Sequence, residues 1–159
     1  MDDPRIKETS ATRLIGIKTL TTLSQHNASA LWQKFMPRLG EIERIPELGL
    51  YSVQVYPEGF TLQSMDVPFE KWAAVPSTAG LIPEGMNELI VPAGMYAVFT
   101  HYGPVSEFPR TVHHIFNEWM PESPYIMANR PQFEIMGPDY KGPNDPDSRE
   151  EVWIPVEEK

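Results

Sequence analysis

The chain has 159 residues, 41% of them hydrophobic and 11% aromatic, enough for one domain with a true core and too many for a disordered segment. It carries no cysteine, which excludes disulfide frameworks, thiolate metal sites and cysteine nucleophiles. Thirteen Lys and Arg against 22 Asp and Glu give a formal charge of −9, a surface that repels nucleic acid and anionic lipid and mildly concentrates cations.

The opening MDDPRIKETSATR has no apolar run with basic flanks, and no stretch approaches the roughly 20 apolar residues that span a bilayer. The expectation is a soluble cytoplasmic protein that binds neither membrane nor nucleic acid directly. Seventeen prolines cut the chain into short elements.

Arg13 to Thr22 reads as a first strand, with Leu14, Ile15, Ile17 and Leu20 among Thr and Lys. Asn27 offers an N-cap, and from Ala28 the residues Leu31, Phe35, Leu39 and Ile42 recur at three- and four-residue spacing along one helical face. Pro37 should kink or shorten that helix. Leu50 to Tyr56 and Pro68 to Val75 read as strands, each stopped by a proline. The Gly/Pro-rich segment from Ser77 to Glu88 reads as the join between two halves, with a brief strand at Leu89 to Val91.

The second half repeats the order. After the turn Pro92-Ala93-Gly94, Met95 to Tyr102 is a strand, and Ser106 can cap a helix whose apolar stripe is Phe108, Val112, Ile115, Phe116 and Trp119. Pro121 should end it. Gln132 to Met136 and Glu151 to Val156 are the last strands, joined by the polar, turn-rich GPDYKGPNDPDSRE. The predicted fold is α+β: two strand-helix-strand-strand units, about 10–78 and about 89–159, forming an antiparallel sheet with two helices around a central ligand cleft. The whole chain, 1–159, is then one domain. Trp72 and Trp153 fall at matching points of the two units.

Glu134 is the most informative position. In Gln132-Phe133-Glu134-Ile135-Met136, alternation puts Phe133 and Ile135 on one side and Glu134 on the other. A solvated sheet face would account for it. A cleft face would raise the pKa of its carboxyl unless a cation compensates, and a cationic ligand supplies that compensation. The many aromatic residues suit such a guest, since a ring face attracts a cation by about 0.5–2 kcal/mol. Ordinary core packing accounts for most of them. Trp32 lies beside the Leu31/Phe35 stripe and is a candidate for the cleft's flank.

His26, His101, His113 and His114 make no metal motif, and no GxGxxG, GxxxxGK or GxSxG occurs. Neither a metal nor a cofactor is expected.

The segments PAGMYAVFTHYGP, SEFPRTVHHIFNEWM, RPQFEIMGPDY and EEVWIPVEEK, with NASALWQKF and LYSVQVYP in the first half, together resemble the gyrase-inhibitor-like (GyrI-like) family, the effector-binding domains of AraC- and MerR-type multidrug-sensing regulators. The resemblance implies a paired strand-helix-strand-strand fold that takes hydrophobic cations in a central cleft. It implies Glu134 as the residue that meets the ligand's charge, lined by Trp32, Tyr96, Phe108 and Trp153, with Tyr51 a further position. It further suggests a standalone effector-binding domain that senses or sequesters small cationic amphipathic molecules. Two alternatives stay open: hydrolysis of strained rings such as epoxides with Glu134 activating water, and a protein-interaction role like that of a gyrase inhibitor. A haem-carrier reading is weakest, because no histidine occupies a persuasive axial position.

Overall fold

The computed structural model describes residues 3–26 and 28–159. The proposed cap at Asn27 lies outside the described residues. Nine strands, β1 (Arg5–Thr9), β2 (Thr12–Thr21), β3 (Leu50–Val55), β4 (Phe69–Pro76), β5 (Asn87–Val91), β6 (Gly94–Tyr102), β7 (Tyr125–Met127), β8 (Gln132–Met136) and β9 (Arg149–Glu158), make up the sheet system among these residues. Every pairing is antiparallel, in the order β1-β6-β9-β8-β3-β4-β2-β5, with β7 beside β9. The architecture is α+β, as the alternation of strand and helix periods predicts.

The two units meet at the β3–β8 pair, where Val53 faces Phe133. Their outer strands then cross over. Strand β1 precedes β2 but pairs with β6, and β5 precedes β6 but pairs with β2. One register runs from Arg5↔Val98 to Gly16↔Asn87, broken only where 10–11 face 92–93. The sheet therefore curls until its two ends meet in this ribbon. Strand β1 escapes detection in the sequence because RIKET has a single apolar residue and is almost wholly exposed; its ladder to β6 holds it, not its own burial.

The duplication extends to side chains. Trp72 donates its Nε1–H to Glu70 Oε1 at 3.0 Å with Lys18 Nζ 5.4 Å from its ring centroid, and Trp153 donates to Glu151 Oε1 at 3.2 Å with Lys7 Nζ 5.6 Å away. The same tryptophan, carboxylate and lysine recur in both units.

One face of the sheet packs upon itself inside the curl: Leu14, Tyr51, Val53, Trp72, Tyr96, Phe133 and Trp153 form one apolar cluster. The other face takes the helices. Helix α1 (Ala28–Phe35) buries Leu31 and Phe35 against Ile15, Ala73 and Val75. It stops short of the predicted length because Pro37 has no N–H to extend the ladder, and a 3₁₀ turn over Met36–Glu41 carries the chain on to buried Ile42.

Helix α2 (Phe108–His113) widens into a π-helical stretch, His114–Trp119, and closes with a last turn, α3 (Met120–Glu122), with Pro121 within that turn. The widening keeps Ile115, Phe116 and Trp119 against Phe99, Val152 and Ile154. Ser106 sits in a 3₁₀ turn, Val105–Glu107, and does not cap α2, whose N-cap is Glu107 without a side-chain bond. Among the described residues no helix is long and apolar enough to cross a membrane.

Candidate ligand site at the seam of the two units

Glu134 sits on the helix-bearing face, in the central strand β8, with Ser52 of β3 on one side and Val152 of β9 on the other. Gln54, opposite Gln132, and Lys71, opposite Gln54, fall on the same face by alternation. Lys71 adjoins Ala73, one of the residues that hold α1, whereas Val152, the register partner of Glu134, belongs to the cluster under α2. The polar group therefore marks the line between the two helix-covered patches.

Glu134 as a whole residue is 6% exposed and Lys71 3%. Gln54 Nε2 donates to Glu134 Oε1 at 3.1 Å, and Lys71 Nζ stands 4.0 Å from the same oxygen. Glu134 Oε2 and Gln54 Oε1 are buried with no hydrogen-bond partner among the described residues. Two acceptor oxygens without donors, side by side in a protein interior, are costly and uncommon.

Burial pushes the Glu134 carboxyl above the usual carboxylate range, against the pull of Lys71 and of the Gln54 and Gln132 amides. Burial likewise pulls the Lys71 ammonium down, while Glu134 and Glu150 hold it up. Tyr56 is raised by burial and by the charge of Glu134; His26 is lowered by burial and by Lys71. Glu150, half-buried on the same face of β9, is raised to about 7 by burial and by Glu134, with Lys71 opposing. Two carboxylates and one lysine thus share a poorly solvated seam.

The six residues proposed for the site divide between the two faces. Tyr51, Tyr96 and Trp153 lie on the opposite face from Glu134, packed around Phe133: ring centroids are 5.3 Å apart for Tyr51–Phe133 and 5.4 Å for Phe133–Trp153, both stacked, and 5.2 Å for the tilted Tyr96–Phe133 pair. Tyr96 donates its hydroxyl to the Pro131 carbonyl at 2.7 Å. The division has a simple cause. Trp153 pairs with Phe133, the neighbour of Glu134, and Tyr51 is the neighbour of Ser52, so each points the other way.

Trp32 and Phe108 are on the same side as Glu134, one on each helix; Trp32 meets Phe35 edge-on at 5.6 Å and Phe108 meets His101 edge-on at 5.2 Å. Both are half-buried.

Sequence reasoning missed Lys71 and Glu150. The signal for Lys71 was available: in PFEKWAAV, Glu70 and Lys71 are adjacent and so fall on opposite faces, and the one that shares its face with Ala73 and Val75 needs a buried partner. No such sign exists for Glu150, which sits in the acidic run DSREE.

Two hollows open elsewhere on this face. One lies between β2 and α1, lined by Ile17, Lys18, Leu31 and Lys34; the other lies at the start of α2, lined by His101, Thr111, Arg110 and Glu107. Neither is lined by Glu134. The cleft expected over that residue is closed in this structure, since its side chain is only 8% exposed. Among the described residues no group of three or more His, Asp and Glu is arranged to hold a metal.

A duplicated antiparallel α+β sheet with one helix per unit and a polar group at the seam is the frame of a small-molecule-binding domain. Residues 2–157 match the GyrI-like small molecule binding domain, and the chain belongs to that family. It is 29% identical over 156 residues to the transcriptional regulator BrlR of Pseudomonas aeruginosa, covering 96% of this chain and 54% of BrlR, so it spans about half of that relative's length. Its fold is shared by a putative transcription regulation protein of Staphylococcus aureus, with TM-score 0.71, 18% identity and 98% of each chain covered. It is also shared by SAV2435 bound to tetraphenylphosphonium, with TM-score 0.69, 16% identity, 98% of this chain and 94% of that one. At these identities the two structures speak for the fold.

Proposed function

We propose that the seam between α1 and α2 is the seat for a small amphipathic cation, anchored by Glu134, and that the domain senses or sequesters such molecules as an effector-binding module. The observation that carries this reading is the pair of buried acceptors without donors, Glu134 Oε2 and Gln54 Oε1. The carboxylate is paired with Lys71 at 4.0 Å, but its Oε2 has no donor among the described residues, and a guest whose positive charge faces that oxygen makes up the shortfall. The −9 charge of the chain favours the approach of a cation. A lipophilic cation seated on the same fold in SAV2435 supports the class of guest.

In this reading the seam opens as the guest enters. Trp32 and Phe108 offer ring faces from the two helices, while Tyr51, Tyr96 and Trp153 stiffen the sheet from behind. The test is titration of tetraphenylphosphonium into the protein, read by calorimetry, for wild type and for Glu134→Gln. The variant keeps the shape and removes the charge, and its affinity is expected to fall at least about tenfold, the worth of one charge-assisted contact. Equal binding by wild type and variant overturns the anchoring role.

A further inference from the structure

The seam holds more charge than one carboxylate, and its balance identifies a second residue that answers the guest. Val152 is the register partner of Glu134 on β9, and Glu150 lies two residues before it, on the same face and diagonal to Glu134. On its other side Glu150 is paired in register with His101 of β6. Its environment is therefore set by named groups on each neighbouring element: Glu134 on β8, Lys71 on β4, His101 on β6, and Tyr140 on the connection that leads into β9.

His101 Nε2 is 3.0 Å from the Pro104 carbonyl, which can only accept, so Nε2 carries a proton, and Nδ1 is 2.6 Å from the Thr111 hydroxyl. Lys71 is wholly enclosed and is already paired with Glu134. A monocation added to that pair would leave the enclosed seam one positive charge in excess, unless a second carboxylate ionises.

We propose that Glu150 is that second carboxylate: an amphipathic monocation enters the seam in exchange for the proton on Glu150, while Lys71 and Glu134 stay paired. This rests on the seat proposed above. The count balances. Empty, the seam holds Lys71 positive, Glu134 negative and Glu150 neutral; occupied, it holds Lys71 and the guest positive against two carboxylates. One proton leaves to solvent for each guest bound. Half-burial puts Glu150 at the rim of the seam, where that proton can escape, while Glu134 lies at the floor. The shift of Glu150 to about 7 places the exchange within the neutral range.

The experiment is calorimetry with tetraphenylphosphonium across pH 5.5 to 8.5, repeated at pH 6 in two buffers of different ionisation enthalpy. For wild type the affinity is expected to rise about tenfold per pH unit below pH 7 and to level off above it, with close to one proton released at pH 6. Glu150→Gln is expected to bind with no such slope and to release no proton, while Glu134→Gln weakens binding at every pH. A flat profile for wild type, or a slope and proton release that persist in Glu150→Gln, overturns the exchange. Absence of binding at every pH sinks the seat itself. If Glu150→Gln does not fold, the proton count for the wild type decides alone: release near zero at pH 6 overturns the proposal.

Discussion

Lys71 Nζ on β4 and Glu134 Oε1 on β8 stand 4.0 Å apart across the one intervening strand, β3, and both side chains are almost wholly withdrawn from water. The domain therefore carries its own cation where a cationic guest is expected to act, and each partner depends on the other for its charge.

Removing Lys71 leaves Glu134 buried with only the Gln54 and Gln132 amides to hold its charge. Lys71→Met is expected to lose about 3–5 kcal/mol of stability near neutral pH, the usual consequence of stranding one partner of a buried pair. The loss should shrink in acid, where Glu134 takes a proton. Lys71→Met combined with Glu134→Gln should regain most of it, because no charge is left unpaired. Urea denaturation at pH 7.5 and pH 5 for wild type and the two variants checks this; single and double mutants of equal stability at pH 7.5 would contradict it.

Glu150 is raised from its ordinary value to about 7, so the folded protein binds its proton more tightly than the unfolded chain does. Its contribution is therefore fully present below about pH 4.5 and fades as pH rises through 7. His26, lowered by burial, acts with the opposite sign at the acid end of that window. The difference between wild type and Glu150→Gln isolates the carboxyl: the variant should gain on wild type as pH rises from 5 to 8. Melting temperatures across that range provide the measurement, and parallel curves would refute the expectation.

The crossing of β2 against β4 leaves no room for a side chain at Gly16. A Cβ there would overlap the Ala73 carbonyl oxygen and the Ala74 backbone, which are fixed in the ladder and cannot turn aside. Gly16→Ala should cost roughly 3 kcal/mol or more, by overpacking against main chain. Gly40→Ala, where nothing lies within 4 Å, should be neutral or slightly stabilising through the unfolded state. Guanidinium midpoints for the two variants give the contrast.

Strand β1 closes the sheet against β6, with Arg5 Nη2 2.7 Å from Glu151 Oε2 and Lys7 over the Trp153 ring. Deleting residues 3–9 opens the edge of β6 and uncovers Trp153, so tryptophan emission should shift to the red and the midpoint of unfolding should fall. Unchanged emission would show that the ribbon does not shield the ring.

By itself the sequence determined the element types and their repeat: period-2 runs at Leu50 to Tyr56 and Met95 to Tyr102, the helical stripes of Leu31/Phe35 and Ile115/Phe116/Trp119, and the matching tryptophans at 72 and 153. It also placed Glu134 opposite Phe133 and Ile135, because alternation within a strand is local geometry. What it could not decide is how one strand's two faces line up with another's, since that is fixed by register between segments up to 146 residues apart, as for Arg5 and Glu151. Only the tertiary structure put Lys71, Gln54 and Glu150 beside Glu134, and sent Tyr51, Tyr96 and Trp153 to the far side. The physical reason is that the curl buries both faces of the sheet, so hydrophobic content alone carries no mark of which face a residue takes.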